Sequence, residues 1–468
     1  MWPIARRVFL NFGSHCLLRT HRRQPSAQAI RHSSYYFLFD KVDTKKPMST
    51  PMASPKEIEV EEVELDFVEE PLGLTANEGY GYFQVDFGET IGPDGRYEIK
   101  RKLGWGRNAS IWLARDAQTN QFIAIKALST SSSQLCTDGI MLELETLQRI
   151  ASVPSDHPTH CVSLLDHFFH PSKDDDGASH LCLVTDIFGG TVASLMQNHT
   201  GRGLPVPLAK RILRHMLIGL AHAHGHGVVH TDLKFDNVMF DLGSISAQEI
   251  EIFLSKDPSR RHPPEASWPR GKIVEAAVSQ PLPLPSLKEA FSRNFLITDF
   301  GSAQFVDQPV TNDITPYTLR APETILQGAW DEKVDIWIFG CLIFESLTGC
   351  DLFTLESDEC RPEEMHLYQM MVYTGERFTS DQLRESDLDV ALSFFDPSTT
   401  FLRKLPKLYR QHIKDFIETC GTTTEQERLG AAALIERCFR LNPRPIGGRS
   451  LRRSVVELRI GSLPCLQG

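Results

Sequence analysis

Apolar and polar residues alternate along RYEIKRKLGWG (96–106) and SIWLARD (110–116), two runs that flank a glycine turn. A period of two reads as half-buried strands. QFIAIKAL (121–128) predicts a third strand, and IMLELETLQRI (140–150) predicts an amphipathic helix. HLCLVTDIF (180–188) predicts a buried strand running into Gly189-Gly190. Beyond it the period changes. In LAKRILRHMLIGLAHAHGHG (208–227) the apolar residues 208, 212, 213, 216, 217 and 220 form one stripe of a helix closed by glycine. Residues 243–292, with DPSRRHPPEASWPRG and SQPLPLPS, are rich in proline and charge and predict a surface insertion rather than a domain. Helical text resumes near residue 335. At the front, residues 40–78 are polar and acidic, and their EIEVEEVELDF alternation either adds an edge strand or stays extended. No repeat is visible. The pattern predicts an α+β architecture in which a β-rich lobe of about 100 residues precedes a larger helical one.

Composition narrows this picture. The 468 residues are 41% hydrophobic and 23% charged, which suits one large two-lobed unit or two to three domains. The ten cysteines include no CxxC pair, so reduced thiols in an intracellular protein are expected rather than disulfides or zinc. No run of 18 apolar residues predicts a membrane span. The net charge of −11 is unevenly placed: residues 351–396 hold twelve Asp/Glu against three Arg. That argues against nucleic acid as a direct ligand. It suits a cationic partner, although a solvated face has the same composition. Residues 1–39 carry six Arg and no acid, the composition of a mitochondrial transit peptide; a disordered basic tail or a misplaced start are the alternatives.

Four short stretches carry candidate chemistry. Gly104-Trp105-Gly106, in the turn between the first two strands, would let backbone approach phosphate oxygens; a third glycine is replaced by Ala109. Lys126 lies inside an apolar strand, where its charge needs an anion. Glu143, on the inward side of the following helix with Leu147 and Ile150, is the carboxylate to hold it, whereas Glu145 faces away. In VVHTDLKFDNVMF (228–240), Asp232 could accept a hydroxyl proton, Lys234 could stabilise a transferring phosphoryl group, and Asn237 could ligate Mg²⁺ without adding charge. ITDFGSA supplies Asp299 as a second metal ligand.

In order along the chain, GxG, IAIK, HTDLKFDN, DFG, Ala321-Pro322-Glu323 and Asp335-Ile-Trp337 resemble the eukaryotic protein kinase set. The match covers roughly residues 97–445. RYEIKRKLGWGRNASIWLARD, Thr231 and the insertion before DFG resemble, more narrowly, the SR-protein kinases, especially a fungal-type branch. The resemblance implies a bilobal fold with a β-rich N-lobe (97–188), a mainly helical C-lobe (189–445) bearing insertion 243–292, an acidic extension (40–96) and an atypical tail (446–468). It implies a monomeric serine/threonine kinase of the cytoplasm and nucleus, using ATP and Mg²⁺ on arginine- and serine-rich proteins. By matching positions, Leu103, Gly104, Gly106, Ile111, Ala124, Asp186, Phe188 and Met239 would bind ATP with Lys126, and Thr185 would precede the hinge. Thr315 or Thr318 would bond Asp232 and Lys234. In the acidic segment, Asp381, Glu385, Asp387 and Asp389 would dock basic peptides. Most kinases place at position 231 an Arg that pairs with a phosphorylated activation segment. Thr231 cannot form that pair, so activity independent of such phosphorylation is expected; the threonine also suits a local turn. Glu323 lacks the expected Arg at Ile446, with Arg444 or Arg449 as substitutes. A pseudokinase scaffold of the same fold, binding nucleotide or basic peptides, and a small-molecule kinase are the rival readings.

Overall fold

The computed structural model describes residues 68–441 except 153–156, 175–176, 200, 268–270, 356–359, 405–408 and 420–422. The Arg-rich leader, the EIEVEEVELDF run, and Arg444, Ile446 and Arg449 with the tail lie outside the described residues. The chain divides into residues 1–70 and a second unit from Pro71 onward, and it is this second unit that carries the elements below. Cys136, Cys161, Cys182, Cys341 and Cys438 are buried free thiols, and among the described residues no helix is long and apolar enough to cross a membrane.

Six antiparallel strands form the first sheet: β1 (Thr90–Ile91), β2 (Tyr97–Trp105), β3 (Ala109–Asp116), β4 (Phe122–Leu128), β5 (Leu164–Pro171) and β6 (Ser179–Thr185), in the order β1-β2-β3-β4-β6-β5. The three runs around the glycine turn thus form the predicted strands. β4 is central and buried on both faces except at Lys126, which explains its continuous apolar text. The sheet's outer core joins Tyr97, Ile99 and Trp112 to Phe83, Val85 and Ile91. The β-rich lobe therefore takes in residues that the sequence reading set apart as an acidic extension. Glycines interrupt that stretch, so its apolar residues show no period.

Two helices pack on this sheet. α1 (Thr130–Thr137) escaped the sequence reading because TSSSQLCT resembles a loop. Its serines are the reason it forms. Ser129 caps it by accepting the Ser132 N–H at 3.1 Å, and buried Ser133 accepts the Leu181 N–H of β6 at 2.8 Å. α2 spans Glu143–Ala151, three residues shorter at its start than the apolar pattern suggested. It buries Glu143, Leu147 and Ile150 and leaves Glu145 outside, as the periodicity required.

The predicted strand 180–188 is in fact two. β6 stops at Thr185, and β7 (Phe188–Thr191) belongs to a different, three-stranded sheet. The break is the junction between lobes, which apolar text alone does not mark. In the helical lobe, α3 (Val192–Gln197) is followed by α4 (Val206–Gly225), which buries every residue of the predicted stripe. β8 (Val228–Val229) and β9 (Val238–Asp241) flank the stretch that holds Asp232.

The insertion contains α5 (Ala247–Lys256), a hairpin of β10 (Glu265–Ala266) and β11 (Ile273–Val274), and α6 (Leu287–Ala290). It is not a free surface appendage. Ile250 packs with Leu113 and Phe122 of the first sheet, with Leu103 and Ile187 beside them. Arg115 pairs with Glu251 at 2.8 Å, and buried Arg101 meets Asp257 at 3.3 Å. The buried apolar residues of this segment are too scattered to give a period. They acquire a partner surface only when the β-rich lobe is present.

β12 (Phe295–Ile297) brings the chain back, pairing Phe295 with Phe240 and Ile297 with Val238. β13 (Gln304–Phe305) pairs with β8. Further on come α7 (Pro322–Ile325), α8 (Lys333–Thr348), α9 (Pro362–Thr374), α10 (Ser380–Glu385), α11 (Leu388–Phe394), α12 (Ile413–Thr419) and α13 (Glu425–Cys438). α8 is apolar around most of its circumference and is the buried axis of the lobe. A Cβ on Gly340 would come within 2.8 Å of Cys438 Cβ, so glycine is what lets α13 lie against α8.

Candidate active site

Two strand pairs assemble the site. Asn237 immediately precedes β9 and Asp299 follows β12 by two residues, so the Ile297–Val238 pairing brings them side by side. The Thr298 N–H donates to Asn237 O at 2.9 Å. In the same way, β8 with β13 sets the Asp232 stretch against the segment after Gly301. There the Thr231 hydroxyl donates to Ser302 O at 2.8 Å.

Lys126 reaches across from the sheet. Its Nζ donates to Glu143 Oε1 at 2.6 Å and to Asp299 Oδ1 at 2.8 Å. Burial alone would lower the ammonium's pKa, but Asp299 and Glu143 more than reverse that and hold it charged. The Lys126 charge in turn draws the Asp299 carboxyl down to about 2. Burial pushes the Glu143 carboxyl up against the opposing pull of Lys126. Asp299 sits in the left-handed region at φ 59°, which Asp tolerates better than most residues. A Cβ on Gly301 would stand 3.3 Å from Asp299 Oδ1 and 3.4 Å from Glu143 Oε2, closer than ordinary packing.

On the other side, Lys234 Nζ donates to Asp232 Oδ2 at 2.8 Å. Asp232 outweighs burial and raises the Lys234 pKa. Asn237 Nδ2 donates to Asp232 O at 2.8 Å and to Oδ2 at 3.2 Å. Its amide nitrogen is thereby committed, leaving Oδ1 as the acceptor for a ligand.

The loop carrying Asp232 is held from below by a residue that the sequence reading used only as a motif marker. Asp335, fully buried near the start of α8, accepts the His230 N–H at 2.8 Å and the Thr231 N–H at 2.9 Å. His224 Nε2 lies 2.8 Å from the same carboxylate. Burial raises its pKa, yet these partners reverse the shift and keep it below the ordinary value. Thr231 is left at φ 64°, a conformation that a β-branched residue adopts only under constraint.

The positions assigned to adenine border the same cleft. Ile111 pairs with Lys126, and Ala124 pairs with Leu113 and Thr185. Leu103, Ile111, Phe188 and Met239 are half-buried, Ala124 is buried and Asp186 is exposed. Met239 lies on β9 opposite Thr191 of β7. A Cβ built on Gly104 or Gly106 would meet no protein atom within 4 Å, so both turn glycines border open space. The residues fit a metal-bound triphosphate: Asp299 and Asn237 Oδ1 would offer two oxygen ligands, and Mg²⁺ commonly completes its shell with water and phosphates. Among the described residues no group of three or more His, Cys, Asp or Glu is arranged to hold a metal alone.

Neither candidate hydroxyl of the activation segment bonds Asp232 or Lys234 here. Thr315 is buried with its Oγ1 lacking a partner, and Thr318 is half-buried. The segment instead bonds to itself and its surroundings. Gln304 Oε1 accepts the Val310 and Thr311 N–H groups at 2.7 and 3.1 Å, and Trp330 Nε1 donates to Asn312 Oδ1 at 3.1 Å. Arg320 donates to Thr315 O at 3.1 Å and pairs with Asp313.

The four docking candidates are exposed around α10 and α11. The Asp387 N–H donates to Leu326 O at 3.1 Å, setting this acidic surface beside the end of the activation segment. Two of the four already have partners: Asp381 pairs with Arg384 at 3.1 Å, and Asp387 caps α11 by accepting the Val390 N–H at 3.0 Å. A further acidic position went unnoticed in the text. Glu345 is the one residue of α8 between Val334 and Thr348 that is not buried. Its half-buried, partly desolvated position, and then the nearby charges of Asp351 and Asp236, push its carboxyl up to about 8.

The protein kinase domain model matches residues 97–253 and 287–439, more than half of the chain, leaving out only 254–286 of the insertion between them. The chain is 28% identical over 374 residues to protein kinase dsk1 of Schizosaccharomyces pombe, covering 62% of this chain and 68% of that one. It is 28% identical over 313 residues to the serine/threonine-protein kinase SRPK of Physarum polycephalum (63% and 70%). It is 32% identical over 187 residues to the serine/threonine-protein kinase SKY1 of Saccharomyces cerevisiae (39% and 24%). The crystal structure of the PF14_0431 kinase domain, 19% identical, shares the fold at a TM-score of 0.57, covering 82% of this chain and 99% of its own. With its bilobal α+β fold and this cleft, the chain belongs to the protein kinase family, as an enzyme of the serine/threonine type that resembles the SR-protein kinases.

Proposed function

We propose that this kinase transfers the γ-phosphoryl group of ATP to serine hydroxyls of arginine- and serine-rich proteins, and that it does so without phosphorylation of its activation segment. The transfer rests on one observation: Lys126 bonds Glu143 and Asp299 together while Asn237 and Lys234 both hold Asp232. Lys126 holds phosphate oxygens of the nucleotide, with Glu143 fixing its position. Asp232 orients the acceptor hydroxyl and takes its proton as the serine oxygen–phosphorus bond forms and the bond to the β-phosphate oxygen breaks. Lys234 offsets charge on the group in transfer. Asn237 and Asp299 are the residues to hold Mg²⁺, which supplies charge neutralisation among the phosphates.

The basic substrate class is supported by the acidic surface at Asp381, Glu385, Asp387 and Asp389. Several carboxylates meeting an arginine-rich chain favour encounter and register. The test compares a Ser-Arg repeat peptide with a neutral serine peptide. The combined change Asp381→Asn, Glu385→Gln, Asp387→Asn and Asp389→Asn is expected to raise KM for the basic peptide about tenfold and to leave the neutral one within about twofold. Equal KM values for the basic peptide in both proteins would remove this assignment.

Independence from activation-segment phosphorylation is supported by Thr231, Gln304 and Arg320, whose bonds hold the segment with neutral groups and the internal Arg320–Asp313 ion pair. Enzyme treated with a phosphatase and verified by mass spectrometry as unphosphorylated in 299–323 is expected to keep its kcat within about twofold, since Thr231 supplies no arginine for a phosphate to pair with. A large loss restored by phosphorylation would contradict the proposal.

A further inference from the structure

A glycine turn over phosphates is ordinarily the loosest part of such a site, because glycine has more conformational freedom to lose than any other residue. In this chain the turn is tied down from outside. The Tyr82 hydroxyl lies 2.7 Å from Arg107 O and 3.0 Å from Gly106 O, so its single proton is shared between two successive carbonyls at the tip of the turn. The tip is closed beneath by the Gly106 N–H donating to Ala109 O at 2.9 Å. Trp105, between the two glycines, meets the Tyr82 ring edge-on at 6.0 Å and 89°. It packs on a small cluster made of Leu72, Tyr82, Val274 and Ala276.

Val274 and Ala276 belong to the insertion, which is bonded to the strand leading into the turn. The Gln280 N–H donates to Lys102 O at 3.0 Å, and Lys102 Nζ donates to Ala277 O at 3.2 Å. Two segments remote in sequence, residues 71–87 and 273–280, therefore converge on Trp105 and the tip. Open space remains on the glycines' own side, where a Cβ on Gly104 or Gly106 would touch nothing.

We propose that Tyr82 is a positioning residue for the glycine turn: with Trp105 and the insertion's Val274 and Ala276, it holds the turn over the cleft before nucleotide arrives. The ordering cost of the turn is then met during folding, so nucleotide binds more tightly and leaves more slowly than it would under a free turn. The inference rests on the cleft being the ATP site.

The test titrates a fluorescent ADP analogue with Mg²⁺ into the full chain and into Tyr82→Phe, which keeps the ring and its packing. The expected result is a Kd raised about three- to tenfold, the range set by loss of one net hydrogen bond. A faster dissociation rate and a higher KM for ATP accompany it, while KM for peptide and the melting temperature of the ligand-free protein stay close to the parent's. Val274→Asp, which puts a charge beside Trp105, is expected to shift Kd in the same direction. A parent-like Kd in Tyr82→Phe overturns the proposal, and so does a lowered melting temperature with unchanged Kd, since that marks a purely structural contact. Absence of nucleotide binding by the parent itself would instead sink the reading of the cleft.

Discussion

Asp232→Ala is expected to lower kcat by about 10²- to 10⁴-fold, the usual contribution of a positioned proton acceptor. The argument starts from geometry. Asp232 Oδ2 is bonded by both Lys234 and Asn237, so the carboxylate is held in one orientation. The neighbouring carboxylates Asp299 and Glu143 do not take that position, since both are committed to Lys126. Nucleotide binding should change little, because Asp232 is not among the groups assigned to the phosphates, the metal and the adenine, and Asn237 keeps its bond to the main-chain oxygen of residue 232. The measurement is single-turnover phosphoryl transfer beside a nucleotide titration of the same protein. Transfer within about tenfold of the parent would remove Asp232 from its role and revive the rival reading of a binding scaffold.

The second large effect is expected at a residue that touches no reactant. Asp335→Ala removes the acceptor of two buried backbone N–H groups and the partner of His224. Stranding those groups is expected to cost about 3 kcal/mol of stability or more. It also loosens the hold on Thr231 at φ 64°, because among the described residues nothing else bonds its N–H and only its hydroxyl bond to Ser302 O remains. The backbone around Asp232 then relaxes toward ordinary angles, and kcat is expected to fall about 100-fold at temperatures where the protein is still folded, as expected for a misplaced catalytic group. Asp335→Asn keeps one acceptor oxygen and should fall between the two. Denaturant midpoints and kcat measured on the three proteins check this. A parent-like kcat in folded Asp335→Ala would mean that the loop keeps its shape without the buried carboxylate.

Much of this was legible in the text for local reasons. The spacing of Asp232, Lys234 and Asn237 falls within two short adjoining segments, so their proximity needs only the turn at 235–237 and not the rest of the fold. The stripe of α4 and the strands around Gly104 and Gly106 likewise follow from side-chain period. Glu143 rather than Glu145 could be chosen as the partner of Lys126 because helical rotation puts it beside Leu147 and Ile150. Where the reading fell short, the missing information was nonlocal. TSSSQLCT becomes helix because its serines find buried backbone partners on β6 and within their own first turn. The insertion's apolar residues have no period and no core until the β-rich lobe is there to receive them.

The amino-acid order by itself determined which residues could do chemistry, because proton acceptors, metal ligands and amphipathic faces are set by residue type and short spacing. Tertiary structure decided which of them meet. The β9–β12 pairing across the whole insertion brings Asn237 to Asp299, burial under α8 gives Asp335 its hold on the loop, and packing from two distant segments pins the glycine turn. The physical reason is that strand register and burial depend on surfaces contributed by residues far apart in the chain, and no local period records which surface will be opposite.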